Sequence, residues 1–395
     1  MSSRFQVGID ALASGCPESL SGRAVALLAH PASVASDGTH AADLLAAATG
    51  ARLVSLLGPE HGYFGWGGAG EHILDGVHPF LGLPVHSLYG DHRKPSAEML
   101  HGADTILVDL QDLAVRCYTF VSTLRYVLEF AAAAGVRVVV ADRPVPAPGM
   151  IDGPMPDGRH DSFVGMIPAP LVYGLTPAES ALWLRDTLGL PVDLHVLPMR
   201  GYRRRPAHLQ TGAPWIPPSP GIRSWFCAYA YPATVSCEAL PVLDCDRAGL
   251  LPFQSWCAEG LDGAALAREL NTRSLPGVRF HPDLRRRADG SMIQGVRLAV
   301  NDASVFAPAA AGVHLLEAVA GQLGRDAFWN QPGVRPDFFD LLMCSDAPRL
   351  ALSAGVPARD IVAAWAPGIA PYRAAIAPHL LYSGIKLPHF KGSLP

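Results

Sequence analysis

The residue types best suited to chemistry in this chain are a carboxylate and an imidazole set side by side. Leu53-Val54-Ser55-Leu56-Leu57 is an apolar, β-prone run that stops abruptly at Gly58-Pro59-Glu60-His61-Gly62. Glu60 and His61 in such a turn are a pair able to donate, accept and relay a proton. In open α/β sheets ligands bind beyond the carboxyl ends of the strands, which makes a Glu-His pair at such an end a candidate catalytic site. The alternative is a loop carrying two solvated polar residues. Three further apolar runs end in the same way. Residues 24–28 lead into His30-Pro31-Ala32-Ser33, residues 105–108 into Asp109-Leu110-Gln111-Asp112, and residues 136–140 into Asp142-Arg143-Pro144. Polar residues recurring at that end of each strand fit a binding crevice better than a demand for solubility.

The elements that must hold these groups follow from periodicity. Residues 24–28 and 52–57 read as buried strands joined by a helix over 39–48 that closes at Gly50. A β-α-β unit of this kind favours a parallel sheet with a right-handed crossover. Val85 to Tyr89 reads as a short strand and 105–108 as a buried one. A helix from about Ser122 to Ala134 stops at Gly135, and 136–140 forms the next strand. Thr176-Pro177-Ala178-Glu179 has an N-cap, a first-turn proline and a capping-box glutamate, so a helix runs from there to about Leu188. Another strand covers 192–197. Residues 150–170 and Trp215-Ile216-Pro217-Pro218-Ser219-Pro220 read as irregular loops. Beyond about 236 the character changes. A helix over 264–270, alternating strands at 278–280 and 292–300, a helix over 308–323 and three short terminal helices suggest a smaller unit. The fold class expected is α/β, a doubly wound and mostly parallel sheet over 1–235, with a smaller α+β domain over 236–395 that closes the cleft.

Bulk properties narrow the function. A chain of 395 residues with 49% hydrophobic and 17% charged residues reads as a well-buried globular protein. Its net charge of −4 and its two short arginine clusters, 203–205 and 285–287, carry no aromatic interleaving and argue against nucleic-acid binding. Met1-Ser2-Ser3-Arg4 opens no signal peptide, and no stretch has the length of a membrane span, so a cytoplasmic location is expected. The cysteines number seven, without a C-x-x-C pair or zinc-like spacing, and read as reduced and mostly buried. Gly65-Trp66-Gly67-Gly68-Ala69-Gly70 contains G-x-G-x-x-G. It neither sits on a strand end nor opens a helix, so it is not read as a dinucleotide loop. It suits backbone approach to a ligand. No serine elbow, H-E-x-x-H or P-loop occurs.

Several stretches together resemble one family. They are Val7-Gly8-Ile9-Asp10, His30-Pro31-Ala32-Ser33-Val34, Leu57-Gly58-Pro59-Glu60-His61-Gly62 and Ala69-Gly70-Glu71. Leu83-Pro84-Val85-His86-Ser87-Leu88-Tyr89-Gly90, Asp109-Leu110-Gln111-Asp112 with Arg116 and Tyr118-Thr119, Asp142-Arg143-Pro144 and Asp152-Gly153-Pro154 follow in the same order. The 215–220 loop and Leu380-Leu381-Tyr382 complete the set. On these the chain is similar to the NamZ-type exo-β-N-acetylmuramidases. The resemblance implies a Rossmann-like N-terminal domain, a smaller C-terminal domain and a site in the cleft between them. It implies release of N-acetylmuramic acid from the non-reducing end of peptidoglycan fragments, with no cofactor. The chain departs from the family at Val145-Pro146, at Tyr173-Gly174 and over 237–249. There Glu238, Arg247 and Gly249 alone keep counterparts to residues that would read the sugar.

Glycosidic cleavage needs a proton donor at the leaving oxygen and a group that stabilises an oxocarbenium-like centre. Glu60 is the expected acid/base, and His61 orients it or binds the sugar. The expected partner carboxylate is Asp112, then Glu71, then Asp109. His30, Asp109, Arg116, Tyr118, Asp142, Arg143, Glu238 and Arg247 are expected at the substrate. Arg116 and Arg143 suit a carboxylate or an acetamido sugar, or alternatively a buried ion pair with Asp109 or Asp142. Trp66 and Tyr118 suit a sugar face or core packing. The ligand expected is a small amino sugar. A same-fold enzyme turned to another substrate in specialised metabolism and a non-catalytic sugar-binding relative are the alternatives.

Overall fold

The computed structural model describes residues 5–212, 215–247, 249–287 and 289–384. Residues 1–4, on which the reading of the N-terminus rests, lie outside them. The larger sheet has seven strands: β1 (Arg23–Leu28), β2 (Ala51–Gly58), β3 (Gly76–Val77), β4 (Pro84–Ser87), β5 (Thr105–Val108), β6 (Arg137–Ala141) and β7 (Leu194–Leu197), in the spatial order β3-β4-β2-β1-β5-β6-β7. All neighbours pair in parallel except the short β3, which runs antiparallel to β4. Helices α1 (Ala41–Ala47), α2 (Ala97–Leu100), α3 (Phe120–Ala134) and α4 (Pro177–Thr187) connect the strands. The expected mostly parallel, doubly wound sheet is therefore present.

The strand order reverses at β1, which has β2 on one side and β5 on the other. Register then decides what meets at that reversal. Leu28 pairs with both Leu57 and Val108, and Val108 pairs with Val140. The carboxyl ends of four strands are thus level, and His30, Glu60, Asp109 and Asp142 leave the sheet along one edge. Strands this regular are buried on both faces: Ala26, Leu28, Ile106 and Val138 face one apolar core and Leu27, Leu56, Leu107 and Val139 the other. Near-continuous apolar runs in the sequence follow from that double coverage.

The second sheet has β8 (Ser255–Ala258), β9 (Val278–Arg286) and β10 (Met292–Val300) in the antiparallel order β8-β10-β9. Pro282 lies within β9, which is an edge strand and can lack a ladder donor. Helices α5 (Trp225–Thr234), α6 (Gly263–Thr272) and α7 (Pro308–Leu323) pack with this sheet and each other. Among the described residues five short helices follow where three were expected: α8 (Arg325–Trp329), α9 (Pro336–Met343), α10 (Ala347–Ser353), α11 (Ala358–Ala363) and α12 (Ala366–Ile376). Helix α5 and strand β8 were absent from the expectation. Pro232 inside α5 argues against a helix by sequence, whereas the Ser224 side chain, accepting from the Cys227 amide, caps it. One apolar core continues from Ile106 in the first sheet through Leu240 to Val296 and Val319 beside the second. All seven cysteines are free thiols, and all but Cys16 are buried. Among the described residues no helix is long and apolar enough to cross a membrane.

Candidate active site

The turn after β2 is built for close approach. A Cβ on Gly58 would lie 2.3 Å from the Tyr63 amide nitrogen, so only glycine lets the chain fold back there. The Gly62 amide donates to the Pro59 carbonyl at 2.8 Å, closing the turn. His61 sits in the left-handed region at φ 71°, a conformation that side chains adopt at a cost. Its Nδ1 donates to the Gly67 carbonyl at 2.9 Å, which ties the turn to the glycine-rich loop and leaves Nε2 as the acceptor. His61 is buried and orients backbone as much as it offers chemistry.

Glu60 is held from two sides. Its Oε1 accepts from the Gly70 amide at 2.9 Å, and its Oε2 accepts from Thr119 Oγ1 at 2.5 Å. Thr119 is the N-cap of α3, so the partial positive charge of that helix start lies beside the carboxylate. The Tyr89 phenol also faces Glu60. Burial and then the Glu60 charge push that phenol up to about 12, so it stays a neutral hydroxyl at Glu60. Glu71, expected as a second carboxylate, is exposed and accepts from the Gly68 amide at 2.6 Å, bracing the glycine-rich loop.

The carboxylate that faces Glu60 electrostatically comes from the C-terminal part. Glu238 ends the short 3-10 turn that continues α5. Burial raises its pKa first, Arg247 opposes that shift, and the Glu60 charge raises it further. Arg247 lies 3.7 Å from Glu238 Oε1, and Arg335 donates to the Glu238 backbone carbonyl. Glu60 and Glu238 both act on the Tyr231 and Tyr89 phenols. The candidate site therefore brings Glu60, Thr119 and Tyr89 from the sheet side together with Glu238, Arg247 and Tyr231 from the C-terminal part. Tyr118 underlies it: buried, edge-on to Tyr231 at 5.9 Å between ring centroids, with its hydroxyl influenced by both Asp112 and Glu60.

The remaining expected residues are placed inside the fold. Asp112 is buried; its Oδ1 accepts from the Leu113 amide at 2.5 Å and the Ala114 amide at 2.9 Å. Burial pushes its carboxyl up to about 6, and the Tyr173 phenol, at a departure from the family pattern, lies against it. Asp109 and Arg143 pair with each other, fully buried and bidentate, and Arg143 also donates to the Val34 carbonyl at 2.8 Å. His30 Nε2 accepts from the Gln111 amide at 2.9 Å. Burial and the neighbouring Arg143 charge hold His30 well below the usual imidazole range, so it is neutral. Asp142 caps α4, accepting from the Ala178 amide at 2.9 Å and from the Thr176 and Tyr382 hydroxyls.

Arg116 donates to the carbonyls of Pro154, Ala169 and Met343 and is fully buried. It meets neither Asp109 nor Asp142, and it clamps the 150–170 loop to the end of α9. These polar groups fix the floor of the crevice, because burial leaves their hydrogen-bonding capacity no other outlet. Trp66, weighed as a core residue, is 83% exposed and stacks on Phe64 at 4.6 Å. Among the described residues no group of three or more metal-ligating side chains converges.

The sequence reading missed Thr119, Tyr89 and the Gly70 amide as Glu60 partners. Thr119 had a detectable signal, since a threonine just before an apolar-periodic run is an N-cap pattern. Placing the helix start near Ser122 hid it.

A doubly wound sheet with a carboxylate at one strand end and a second, buried carboxyl brought beside it from the 3-10 turn after α5 is the class of fold and candidate site present here. Two family models match, the N-terminal domain of exo-beta-N-acetylmuramidase NamZ over residues 25–225 and its C-terminal domain over 229–382. The chain is 32% identical over 322 residues to peptidoglycan beta-N-acetylmuramidase NamZ of Bacillus subtilis, covering 80% of this chain and 77% of that one. Two crystal structures of DUF1343 family proteins from Bacteroides fragilis are similar. One has a TM-score of 0.88 at 31% identity, covering 96% of this chain and 99% of that chain. The other has a TM-score of 0.75 at 25% identity, covering 97% and 100%. The chain belongs to the NamZ exo-β-N-acetylmuramidase family, a family of glycosidases.

Proposed function

We propose that this protein hydrolyses the β-glycosidic bond of a terminal N-acetylmuramic acid, or a closely related amino sugar, at the non-reducing end of peptidoglycan-derived fragments. Glu60 acts as the acid/base and Glu238 as the second carboxyl. The observation that carries the reading is the opposition of these two groups across the cleft, with the Glu60 charge raising Glu238. A carboxyl raised by burial and by a neighbouring charge, as Glu238 is, keeps a proton at the site to higher pH, which is what protonation of a leaving oxygen requires. Thr119 and Gly70 fix the Glu60 oxygens, and the neutral Tyr89 phenol offers a further donor. Membership of the family supports the substrate class. The molecules acted on are small amino-sugar glycans in this reading, and no cofactor enters the chemistry.

The test is turnover of a chromogenic N-acetylmuramic acid β-glycoside by the wild-type protein and by Glu60→Gln. General acid/base groups contribute about 100- to 10,000-fold, so the variant should lose at least that lower figure in kcat. Undiminished turnover in Glu60→Gln would remove Glu60 from the mechanism.

A further inference from the structure

Among the cations near Glu60, Arg93 is seated on aromatic rings with no carboxylate partner and no hydrogen bond to the protein among the described residues. Arg93 lies on the exposed segment after β4. Its guanidinium carbon sits 5.1 Å from the centre of the Tyr89 ring and 4.5 Å from that of Phe163. Tyr89 is the phenol that faces Glu60, and the Arg93 charge acts on it. Phe163 is buried, and its carbonyl accepts from Ser122 in α3 at 2.6 Å, so the aromatic seat is anchored to the fold. The neighbouring cations are occupied. Lys94 pairs with Glu129 at 3.0 Å, Arg247 lies 3.7 Å from Glu238, and Arg143 is buried against Asp109. Arg335 donates to the Glu238 carbonyl and lies 4.4 Å from the Phe338 ring centre. No carboxylate pairs with Arg93 among the described residues.

An arginine seated on aromatic faces keeps its N–H edges free and loses little freedom on binding. It suits planar, bidentate recognition of a carboxylate. We propose that Arg93 binds the acidic substituent of the sugar held at Glu60, and so selects a carboxylate-bearing amino sugar over its neutral counterpart. The inference rests on the glycosidase reading above and assigns its specificity. N-acetylmuramic acid differs from N-acetylglucosamine by a lactyl ether that ends in a carboxylate. A reader of that group must stand near the carboxyl pair without being neutralised by it, and Arg93 is seated on the ring of Tyr89, whose phenol faces Glu60, without pairing with a carboxylate.

The test compares wild type, Arg93→Ala and Arg93→Lys on two chromogenic β-glycosides, N-acetylmuramic acid and its lactyl methyl ester. A bidentate charge-assisted contact predicts that Arg93→Ala loses about 10- to 100-fold more kcat/KM on the acid than on the ester, chiefly through KM. Arg93→Lys falls between. Any disturbance of Tyr89 or Glu60 lowers both substrates alike, so an equal loss on acid and ester, or no loss, overturns the proposal while leaving the glycosidase reading intact. Calorimetric binding of free N-acetylmuramic acid is measured in parallel. If the wild type hydrolyses neither glycoside, the glycosidase reading fails, and Arg93-dependent binding of the acid still supports the inference. Binding that ignores Arg93, or no binding at all, overturns it.

Discussion

Thr119 Oγ1 donates to Glu60 Oε2 at 2.5 Å and joins the cap of α3 to the turn after β2. The contact spans 59 positions of sequence, so the orientation of Glu60 depends on how α3 packs against the sheet and not on its own turn alone. A hydrogen bond to a charged group contributes about 1.5–3 kcal/mol. Thr119→Val should therefore lower kcat by about 10-fold or more with a smaller change in KM, while Thr119→Ser retains most of the activity. Steady-state kinetics of the two variants check this, and a valine variant as active as the serine one would sever Thr119 from the chemistry.

On the proposed mechanism Glu238 should give the reaction an alkaline pH limb. Burial raises its carboxyl, and the charge on Glu60 raises it further. A raised carboxyl keeps its proton to higher pH, so activity that needs the protonated pair falls as pH rises through that value. Glu238→Gln should cost about 100-fold or more in kcat and should also flatten the alkaline limb of the kcat/KM profile. A profile that keeps its alkaline limb in the variant assigns that limb to another group.

Much of this arrangement was legible in the sequence, for identifiable reasons. The strands were readable because burial on both faces writes itself as unbroken apolar runs, and Thr176-Pro177-Ala178-Glu179 announced α4 through local capping alone. The recurrence of polar strand ends pointed to one edge of the sheet, where the register sets those strand ends level. What the sequence withheld was which of those polar groups lie near Glu60 and which are tied up inside the fold. Asp109, Arg143, Asp142 and Arg116 look like ligand-binding residues by type, yet Asp109 and Arg143 partner each other, Asp142 accepts from the start of α4, and Arg116 donates to backbone carbonyls far along the chain. Glu238 was ranked with the substrate contacts. Only the packing of α5 brings it to Glu60, and α5 was obscured by Pro232.

The cap of α4 makes stability fall as pH rises. Burial, and then the Glu179 charge, push Asp142 from an ordinary 3.8 up to about 7. Between these values the folded protein binds a proton that the unfolded chain releases. The contribution is complete below the unfolded value and is lost as pH rises through the folded one. Asp112 and Asp152, each pushed by burial up to about 6, act in the same direction. Asp142→Asn removes the largest of these titrations, worth on the order of 2–4 kcal/mol. Melting curves from pH 5 to pH 8 should show a decline in Tm that is shallower in the variant. An equal slope in the two proteins would place the titration elsewhere.

The Asp109–Arg143 pair makes the opposite kind of claim, about removal and not titration. Both side chains are buried, both oxygens of Asp109 accept from Arg143, and the pair lies where the strand order reverses at β1 and β5. That reversal is where an open sheet usually takes its ligand, but here the pair fills it. Removing one partner strands a charge in the interior, which costs about 3–5 kcal/mol, whereas removing both leaves no orphan. Asp109→Ala and Arg143→Met should each lower stability in urea unfolding by about that amount, and the double variant should lose less than the sum of the two. The measurement also separates a wall from a ligand contact. Variants that melt like the wild type but bind the sugar more weakly would return Asp109 and Arg143 to the substrate.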